Sequence, residues 1–357
     1  MGLYISMPVK KSLQKKYDAK YDLIKFVLSL FVLAIHASVY PMGLFPWVRI
    51  AVPLFFMLSA YFVFSKLHSA PADQQKAILK NFVYRNLRLY LCWFMILLPL
   101  TLVKRKELYF SGNLLDNILA FLKSLFFGST FAASWFISAT ILGVVILFFL
   151  SKGLRNDIAV GILSFLAFCF VTLASSYRSV VADTFLFGAI ESYTRFFGYL
   201  VCSFPAALFW IFIGKMVAEQ KLRRPSWLLL GIFTLCSCIC LLDEWRFIGN
   251  LTGSYTNDSY FMLAPLCVLL FLGIQRIKPF YWKYSPHFRR ASTVIYVTHA
   301  SIVPVISRFT DKVLNFSHPL LTFLLTFLCC SVICGILEIL IQRYPSGKVS
   351  SILRKLY

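Results

Sequence analysis

The sequence predicts an all-α membrane protein, a polytopic bundle of about ten transmembrane helices with both termini in the cytoplasm. Three observations predict this class: the composition, the spacing of the apolar runs and the distribution of the basic residues. Of the 357 residues, 59% are hydrophobic and 14% are charged, whereas a soluble domain carries about 25% charged residues. The mean hydropathy of +0.76 agrees with this assignment.

Ten apolar runs have about the length that a helix needs to cross a bilayer, which is roughly 20 residues. They lie near 22–40, 45–65, 86–103, 132–150, 157–175, 197–217, 227–242, 259–275, 292–309 and 319–341. A further apolar stretch, 112–128, is interrupted by polar residues. We interpret that stretch as a candidate interfacial or re-entrant segment.

The basic residues set the orientation of the bundle. The net charge of +22 is spread between the apolar runs and not gathered in one basic domain, which argues against nucleic-acid binding and for membrane topology. With the N-terminus in the cytoplasm, 25 Lys and Arg residues lie on that side and 10 on the other. The chain is therefore predicted to be one membrane domain, 1–357, with basic cytoplasmic segments at 1–20 and 343–357.

No metal site or nucleotide-binding loop is predicted. Cys236, Cys238 and Cys240 are alternate residues, which point in different directions on a helix, and no histidine lies near them in the sequence. Phosphate-loop, Rossmann, serine-hydrolase and zincin motifs are absent from the sequence. The first apolar run follows five lysines and has no small-residue cleavage site, so we expect no removable signal peptide.

The first apolar run, YDLIKFVLSLFVLAIHASVY, contains a lysine and a histidine that a simple anchor does not need. Lys25 and His36 are eleven residues apart, close to three helical turns, so they share one helix face about 16 Å apart along the axis. Ionisable groups inside a membrane are functional candidates by default. A neutral histidine there could act as a general base. The alternative is a packing histidine and a lysine that extends to the headgroups.

Four further polar residues are candidates. Arg85 and Arg88 lie three apart at the start of the third run, where two guanidinium groups on one face suit phosphates; an ordinary positive-inside anchor is the alternative. His299 lies within the ninth run and is either functional or a satisfied core residue. Glu338, in the last run, is either functional or paired with a nearby cation.

These pieces together resemble the integral-membrane acyltransferase-3 family, over about residues 18–342. Asp22, Lys25 and His36 match the first-helix pattern of that family, and Arg85 and Arg88 match its Arg-x-x-Arg. SWFISATILG, FWIFIGKMV and STVIYVTHA, which includes His299, are similar to later landmarks.

Two departures from the family pattern stand out. In FFMLSAYF, Ser59 is in place, but Ala60 stands where the family usually has glycine. The acidic residue that usually precedes proline at the end of the last span is also missing, and Glu338 lies earlier.

The resemblance implies an O-acyltransferase that moves an acyl group, most often acetyl, from cytoplasmic acyl-CoA to a hydroxyl of a surface polysaccharide or lipid-linked sugar. It implies that His36 and Lys25 are catalytic and that Arg85 and Arg88 bind the donor. His299, Asp22, Ser59 and Glu338 are further candidates. Acyl-CoA is a substrate, and no permanently bound cofactor is expected.

The resemblance also places the protein in the cytoplasmic (inner) membrane of a bacterium, acting alone or with a separate extracytoplasmic transfer partner. One competing hypothesis is a transporter or flippase of lipid-linked glycans, which would share the spans and buried polar groups. Another is a catalytically silent relative, against which the intact Lys25, His36, Arg85 and Arg88 argue.

Overall fold

A computed structural model describes residues 18–39, 45–104, 112–131, 133–223, 225–313, 318–344 and 356. All regular elements in these ranges are helices. They are α1 (Ala19–His36), α2 (Phe45–Val48), α3 (Ala51–Ser69), α4 (Ala72–Lys104), α5 (Leu114–Phe127), α6 (Trp135–Leu154), α7 (Asp157–Ser175), α8 (Phe185–Phe197), a 3₁₀ turn (Leu200–Cys202), α9 (Pro205–Ala218), α10 (Trp227–Thr252), α11 (Leu263–Arg276), α12 (Ser285–Lys312) and α13 (Pro319–Arg343).

The all-helical membrane class is confirmed. Six helical segments among the described residues are long and apolar enough to cross a membrane: Pro46–Ser69, Ala72–Val103, Trp135–Leu154, Asp157–Ser175, Trp227–Thr252 and Pro319–Arg343. A helix lies at each of the other four predicted intervals as well, but α9 and α11 have 14 residues each, which is shorter than a full crossing needs. The count of ten crossings and the location of the termini stay predictions.

The interrupted stretch at 112–128 forms α5, a helix of 14 residues. At 1.5 Å per residue it is about 21 Å long, too short for a hydrocarbon core of about 30 Å. Half of its side chains are exposed in the structure. The length excludes a full crossing by α5 alone and leaves both the interfacial and the re-entrant interpretation open.

Two helices begin well before the apolar runs that predicted them. α4 begins at Ala72, where the run begins at 86, and its 33 residues extend for about 50 Å. α12 begins at Ser285, where the run begins at 292. Both starts follow helix-entry signals, Pro71 before α4 and Pro286 in the first turn of α12, since proline suits a helix N-terminus. These polar extensions supply walls of the site described below.

The end of α1 is fixed by a Schellman motif directly after His36. The N–H of Val39 donates to the carbonyl of Ala34 at 3.1 Å, and that of Ser38 donates to Ile35 at 3.2 Å. Ser38 takes the left-handed conformation, with φ of 57°, that this motif requires. These two hydrogen bonds fix the backbone on both sides of His36, and the side chain of His36 projects from the last turn of the helix.

The most extensive helix contact, between α3 and α9, depends on a glycine. A Cβ at Gly214 would lie 2.5 Å from the carbonyl oxygen of Met57 and 2.7 Å from the Cβ of Ala60. Ala60 itself is completely buried. The close approach that a glycine at position 60 would have allowed is therefore provided from the opposite helix by Gly214.

We expect Gly214→Ala to destabilise the fold by about 1–3 kcal/mol, because the added methyl would overlap the backbone of α3 and force the helices apart. Thermal unfolding of the protein in nanodiscs would measure the loss. Gly273→Ala is the matched control, since a Cβ at Gly273 meets no atom within 4 Å. An equal midpoint for the two variants would contradict the close-packing account.

α1 and α12 lie side by side and run in the same direction. At the start of both helices, Ser285 donates a hydrogen bond to Asp22. One turn on, the rings of Phe26 and Phe288 are 4.9 Å apart. Near the far end, the rings of His36 and His299 meet. The polar contact at one end of this helix pair thus sets the register that brings the two histidines together at the other.

Candidate active site

A cavity of about 510 Å³ lies between the first turns of α1, the end of α3, the first half of α4 and the start of α12. We call it the cation cavity, because four basic residues line it. Its lining consists of Asp18, Tyr21, Asp22, Lys25, Phe62, Val63, Lys66, Ile78, Asn81, Phe82, Arg85 and Arg289. Lys25 and Arg85, two of the predicted site residues, therefore face the same space.

The two carboxylates of the cation cavity are already paired. Asp22 accepts two hydrogen bonds from Arg289, at 3.0 Å from Nε and 2.8 Å from the terminal nitrogen, besides the one from Ser285. Asp18 pairs with Lys20 at 3.2 Å and caps α1 by accepting from the N–H of Lys20. Asp22, a further candidate from the sequence, is 6% exposed. Its hydrogen bonds join α1 to α12.

The other three cations carry the net charge of the cavity. Within the described ranges, the side chains of Lys25, Lys66 and Arg85 make no hydrogen bond or ion pair, whereas Arg289 is paired with Asp22. The Nζ of Lys25 lies over the ring of Phe62, 4.9 Å from its centroid. Three cations without carboxylate partners, beside an apolar wall, form a site suited to a multiply charged anion with an organic part.

Arg88 lies one turn beyond Arg85 on α4 but does not line the cation cavity. Its side chain is half-buried, and its Nε is inaccessible to solvent and has no hydrogen-bond partner among the described residues. A buried donor without a hydrogen-bond acceptor lowers the stability of the fold, and a bound ligand could supply that acceptor. The structure thus separates the predicted Arg pair into one exposed cavity residue and one deeper residue with a free donor.

His36 and His299 form a ring pair at the opposite end of α1. Their centroids are 4.8 Å apart and the rings are inclined by 53°. His36 is exposed, whereas His299 is completely buried. The two candidate histidines, which the sequence treats separately, are therefore neighbours, and His36 is the member that a substrate can reach.

The helix face between Lys25 and His36 is packed. The residues on this face are Ser29 and Val32, which are 0% and 4% exposed. Ser29 donates its hydroxyl to the carbonyl of Phe26 at 2.7 Å. The same-face prediction agrees with the helix bounds, but the stripe is not an open groove, since neighbouring helices cover its two central residues.

Ser59 lies on a face of α3 that extends from the cation cavity towards the histidine pair. Phe55, Ser59, Phe62 and Lys66 follow helical spacing along one side of that helix. At one end of this row, Phe62 and Lys66 line the cation cavity. At the other end, the ring of Phe55 is 5.8 Å from that of Tyr296, which is one turn before His299. Ser59 is half-buried between the cavity and the aromatic group beside the histidines.

Glu338 belongs to a different cluster. It accepts a hydrogen bond from the Nε of Arg290 at 2.8 Å and shares one with His287 at 2.6 Å, which joins α13 to the start of α12. It does not line the cation cavity. Its geometry matches the paired-carboxylate alternative, and a catalytic role for Glu338 stays a prediction.

A second, smaller cavity of about 300 Å³ lies at the ends of α3, α6 and α9 and the start of α7. There Lys215, which is 5% exposed, bonds to Asp157 at 2.9 Å and to Glu219 at 3.0 Å. Lys221 contacts the same two carboxylates, which raise the pKa of Lys221 above its ordinary value. Two of its cations are thus neutralised within the protein, which makes this cavity the weaker candidate for an anion.

Sequence reasoning missed Lys66 and Arg289. Arg289 belongs to the run YWKYSPHFRR, which reads as a loop because it precedes the apolar run at 292. The Ser285–Pro286 pair signals an earlier helix start and would have placed Arg289 on the first turns of α12. Lys66 ends an apolar helix, where a lysine is common, and no signal distinguishes it from an anchor.

Comparison with known proteins connects this arrangement to a family. The family described as "Acyltransferase domain" matches residues 18–338. An amino-acid racemase of Enterococcus faecalis is 22% identical over 296 residues, which is 81% of this chain and 40% of that protein. A serine/alanine racemase of Enterococcus gallinarum is 25% identical over 293 residues, or 78% of this chain and 39% of that protein.

The chain therefore spans about two fifths of the length of these curated relatives. No solved structure matches it. The family match covers α1 through most of α13, and so includes the cation cavity and both histidines. This chain belongs to the acyltransferase-3 family of integral membrane proteins.

Proposed function

We propose that this protein is a membrane O-acyltransferase that moves an acyl group, most simply acetyl, from cytoplasmic acyl-CoA to a hydroxyl of a surface polysaccharide or lipid-linked sugar. One observation carries the proposal. Lys25 lines a cavity whose three cations Lys25, Lys66 and Arg85 have no ion-pair partner among the described residues, and the exposed His36 lies on the same helix, α1, about 16 Å farther along its axis. The first feature suits the donor's phosphates, and the second suits a general base.

The donor would bind at the cation cavity. Coenzyme A carries phosphates on a nucleotide and a long pantetheine arm that ends in the thioester. Arg85 offers a planar fork for a phosphate, and Lys25 and Lys66 offer point charges. Because Asp22 and Asp18 are held by Arg289 and Lys20, they add little repulsion.

His36 would act on the acceptor. One ring nitrogen takes the proton of the acceptor hydroxyl while the hydroxyl oxygen attacks the thioester carbonyl. The carbon–sulfur bond breaks, and the CoA thiolate leaves and recovers the proton. The ester forms on the acceptor, so atoms and charges balance without any further reactant.

The packed face between the two features requires a movement. For the thioester to reach His36, the pantetheine arm must displace the contacts that cover Ser29 and Val32. Binding energy from the nucleotide end can supply this rearrangement, as remote parts of a substrate do in many enzymes.

Ten crossings with cytoplasmic termini, in the cytoplasmic membrane of a bacterium, complete the proposal. Alternating directions would put the starts of α1, α4 and α12 and the end of α3 on one face of the membrane. Residues from these four helix ends line one cavity. The parallel contact of α1 with α12 agrees too, because both would be odd-numbered crossings.

Racemisation, the activity in the relatives' names, is not part of this proposal. The match covers 40% and 39% of the two named proteins, so a name given to the whole relative does not establish the activity of the matched part.

The test is transfer of radiolabelled acetyl from acetyl-CoA by the purified protein in nanodiscs, with envelope glycans and lipid-linked sugars from the source cells as acceptors. We expect label in an alkali-labile ester on a glycan, dependent on the protein. Acetyl-CoA that remains intact, together with movement of lipid-linked glycan across proteoliposomes, would replace the transferase by the transporter.

Arg85→Ala should weaken acetyl-CoA binding about 10- to 100-fold, because a charge-assisted hydrogen bond contributes about 1.5–3 kcal/mol. Lys152→Ala is the matched control: Lys152 lines the second cavity and lies over Phe148. Calorimetry of both variants across ionic strengths would measure the effect, and the Arg85 contribution should shrink with added salt. Equal affinities for the two variants would remove Arg85 from the donor site.

A further inference from the structure

In His299, the buried histidine of the ring pair, one ring nitrogen makes a hydrogen bond and the other makes none to the described residues. The Nδ1 of His299 is 2.9 Å from the carbonyl oxygen of Ile295. Its Nε2 is inaccessible to solvent and has no hydrogen-bond partner among the described residues. His299 is completely buried, so a free polar atom there is costly.

The contact with Ile295 fixes the tautomer of His299. A carbonyl oxygen only accepts, so Nδ1 must carry the hydrogen. A charged ring would be strongly disfavoured at a completely buried position without a carboxylate, so the ring is neutral. Its Nε2 therefore has no hydrogen and offers a lone pair.

The surrounding polar groups are used elsewhere. The hydroxyl of Tyr296 donates to the carbonyl of Ala133 at 3.0 Å. Thr298 bonds to the carbonyl of Val294 at 2.7 Å and contacts the sulfur of Cys330 at 3.4 Å. The ring of His36, whose centroid is 4.8 Å from that of His299, is an adjacent group among the described residues that has an N–H to donate.

We propose that His299 is a positioning residue that accepts a hydrogen bond from one ring N–H of His36 and so keeps the lone pair of the other nitrogen on the accessible side. This inference rests on the proposed function. Rotation of the His36 side chain would form this hydrogen bond. His36 is the last residue of α1, and its side chain is exposed. Catalytic hydrogen bonds are often long before substrate binds and tighten in the complex.

The proposed step assigns every proton. In the resting pair, His36 carries one hydrogen, directed at Nε2 of His299, and presents its other nitrogen to the acceptor hydroxyl. When that nitrogen takes the hydroxyl proton, the resulting imidazolium keeps its hydrogen bond to Nε2, which is now charge-assisted. The departing thiolate then removes the added proton and restores the starting tautomer.

Three substitutions separate this role from simple packing. Glutamine at 299 can place an oxygen near the position of Nε2, asparagine reaches only the position of Nδ1, and leucine supplies neither. We expect His299→Gln to keep most of kcat, and His299→Asn and His299→Leu to lose about 10- to 100-fold. The Kd for acetyl-CoA should be the same in all three. Equal losses of kcat for glutamine and asparagine would overturn the proposal.

A second measurement does not depend on acyl transfer. Diethyl pyrocarbonate modifies the unprotonated histidine nitrogen, and mass spectrometry of the peptide that contains His36 gives its rate apart from those of His68, His287 and His318. We expect several-fold slower modification of His36 in His299→Asn than in wild type or His299→Gln. Identical rates in all forms would refute the His299 assignment. Absence of acetyl transfer by wild type would refute the proposed function instead, leaving this comparison valid.

Discussion

His36→Ala is expected to lower the rate of acyl transfer by about 10²- to 10⁴-fold, the usual contribution of a general base. Donor binding should be unchanged, because the cation cavity lies about three turns away along α1. The measurement is single-turnover transfer of labelled acetyl from saturating acetyl-CoA, together with donor Kd by calorimetry. The alanine cannot take the hydroxyl proton, so the general-base contribution is lost.

His68→Ala is the matched control for this substitution. His68 is an exposed histidine near the end of α3 that lines the second cavity and not the first. Its loss should leave both rate and affinity as in the wild type. Normal turnover by well-folded His36→Ala protein would remove His36 from the chemistry.

Asp22→Ala is expected to destabilise the bundle by about 2–3 kcal/mol. The substitution leaves Arg289 and Ser285 without their acceptor, and breaking a buried pair typically costs about 3–5 kcal/mol; we take the lower figure because the Arg289 side chain is 38% exposed. Thermal unfolding in nanodiscs measures the loss. Transfer should fall as well, because this contact fixes the register of α1 against α12 and thereby the histidine pair.

The pair Asp22 and Arg289 can be tested by a double-mutant cycle. If the contact is as close as the bidentate geometry indicates, Asp22→Ala and Arg289→Ala together should cost clearly less than the sum of the single changes. Strict additivity would show that the two residues act independently and would make the register argument untenable.

Much of the fold follows from the sequence because membrane-spanning helices leave strong signals. The interval 157–175 coincides with α7, since Asn156 caps its N-terminus and the apolar run fills it. The sequence did not predict the starts of α4 and α12, because an apolar run marks only the part of a helix that lies within the bilayer. Both helices continue as polar turns beyond their apolar runs, and those turns carry part of the cavity wall.

The site was only partly predictable for a related reason. Spacing within one helix shows which residues share a face, and this brought Lys25 and His36 together. It does not show which helices are neighbours, so the contact of His36 with His299 and the bond from Arg289 to Asp22, 267 residues apart, required the structure. Nor could spacing show that Ser29 and Val32 would be covered.

Binding of acetyl-CoA to the purified protein in nanodiscs tests the central claim most directly, with an Arg85→Ala/Arg88→Ala double variant beside the wild type. The account predicts saturable binding by the wild type that weakens with added salt and is lost in a folded double variant. Absence of binding of any acyl-CoA to folded wild-type protein, or equal binding by the two forms, would contradict it.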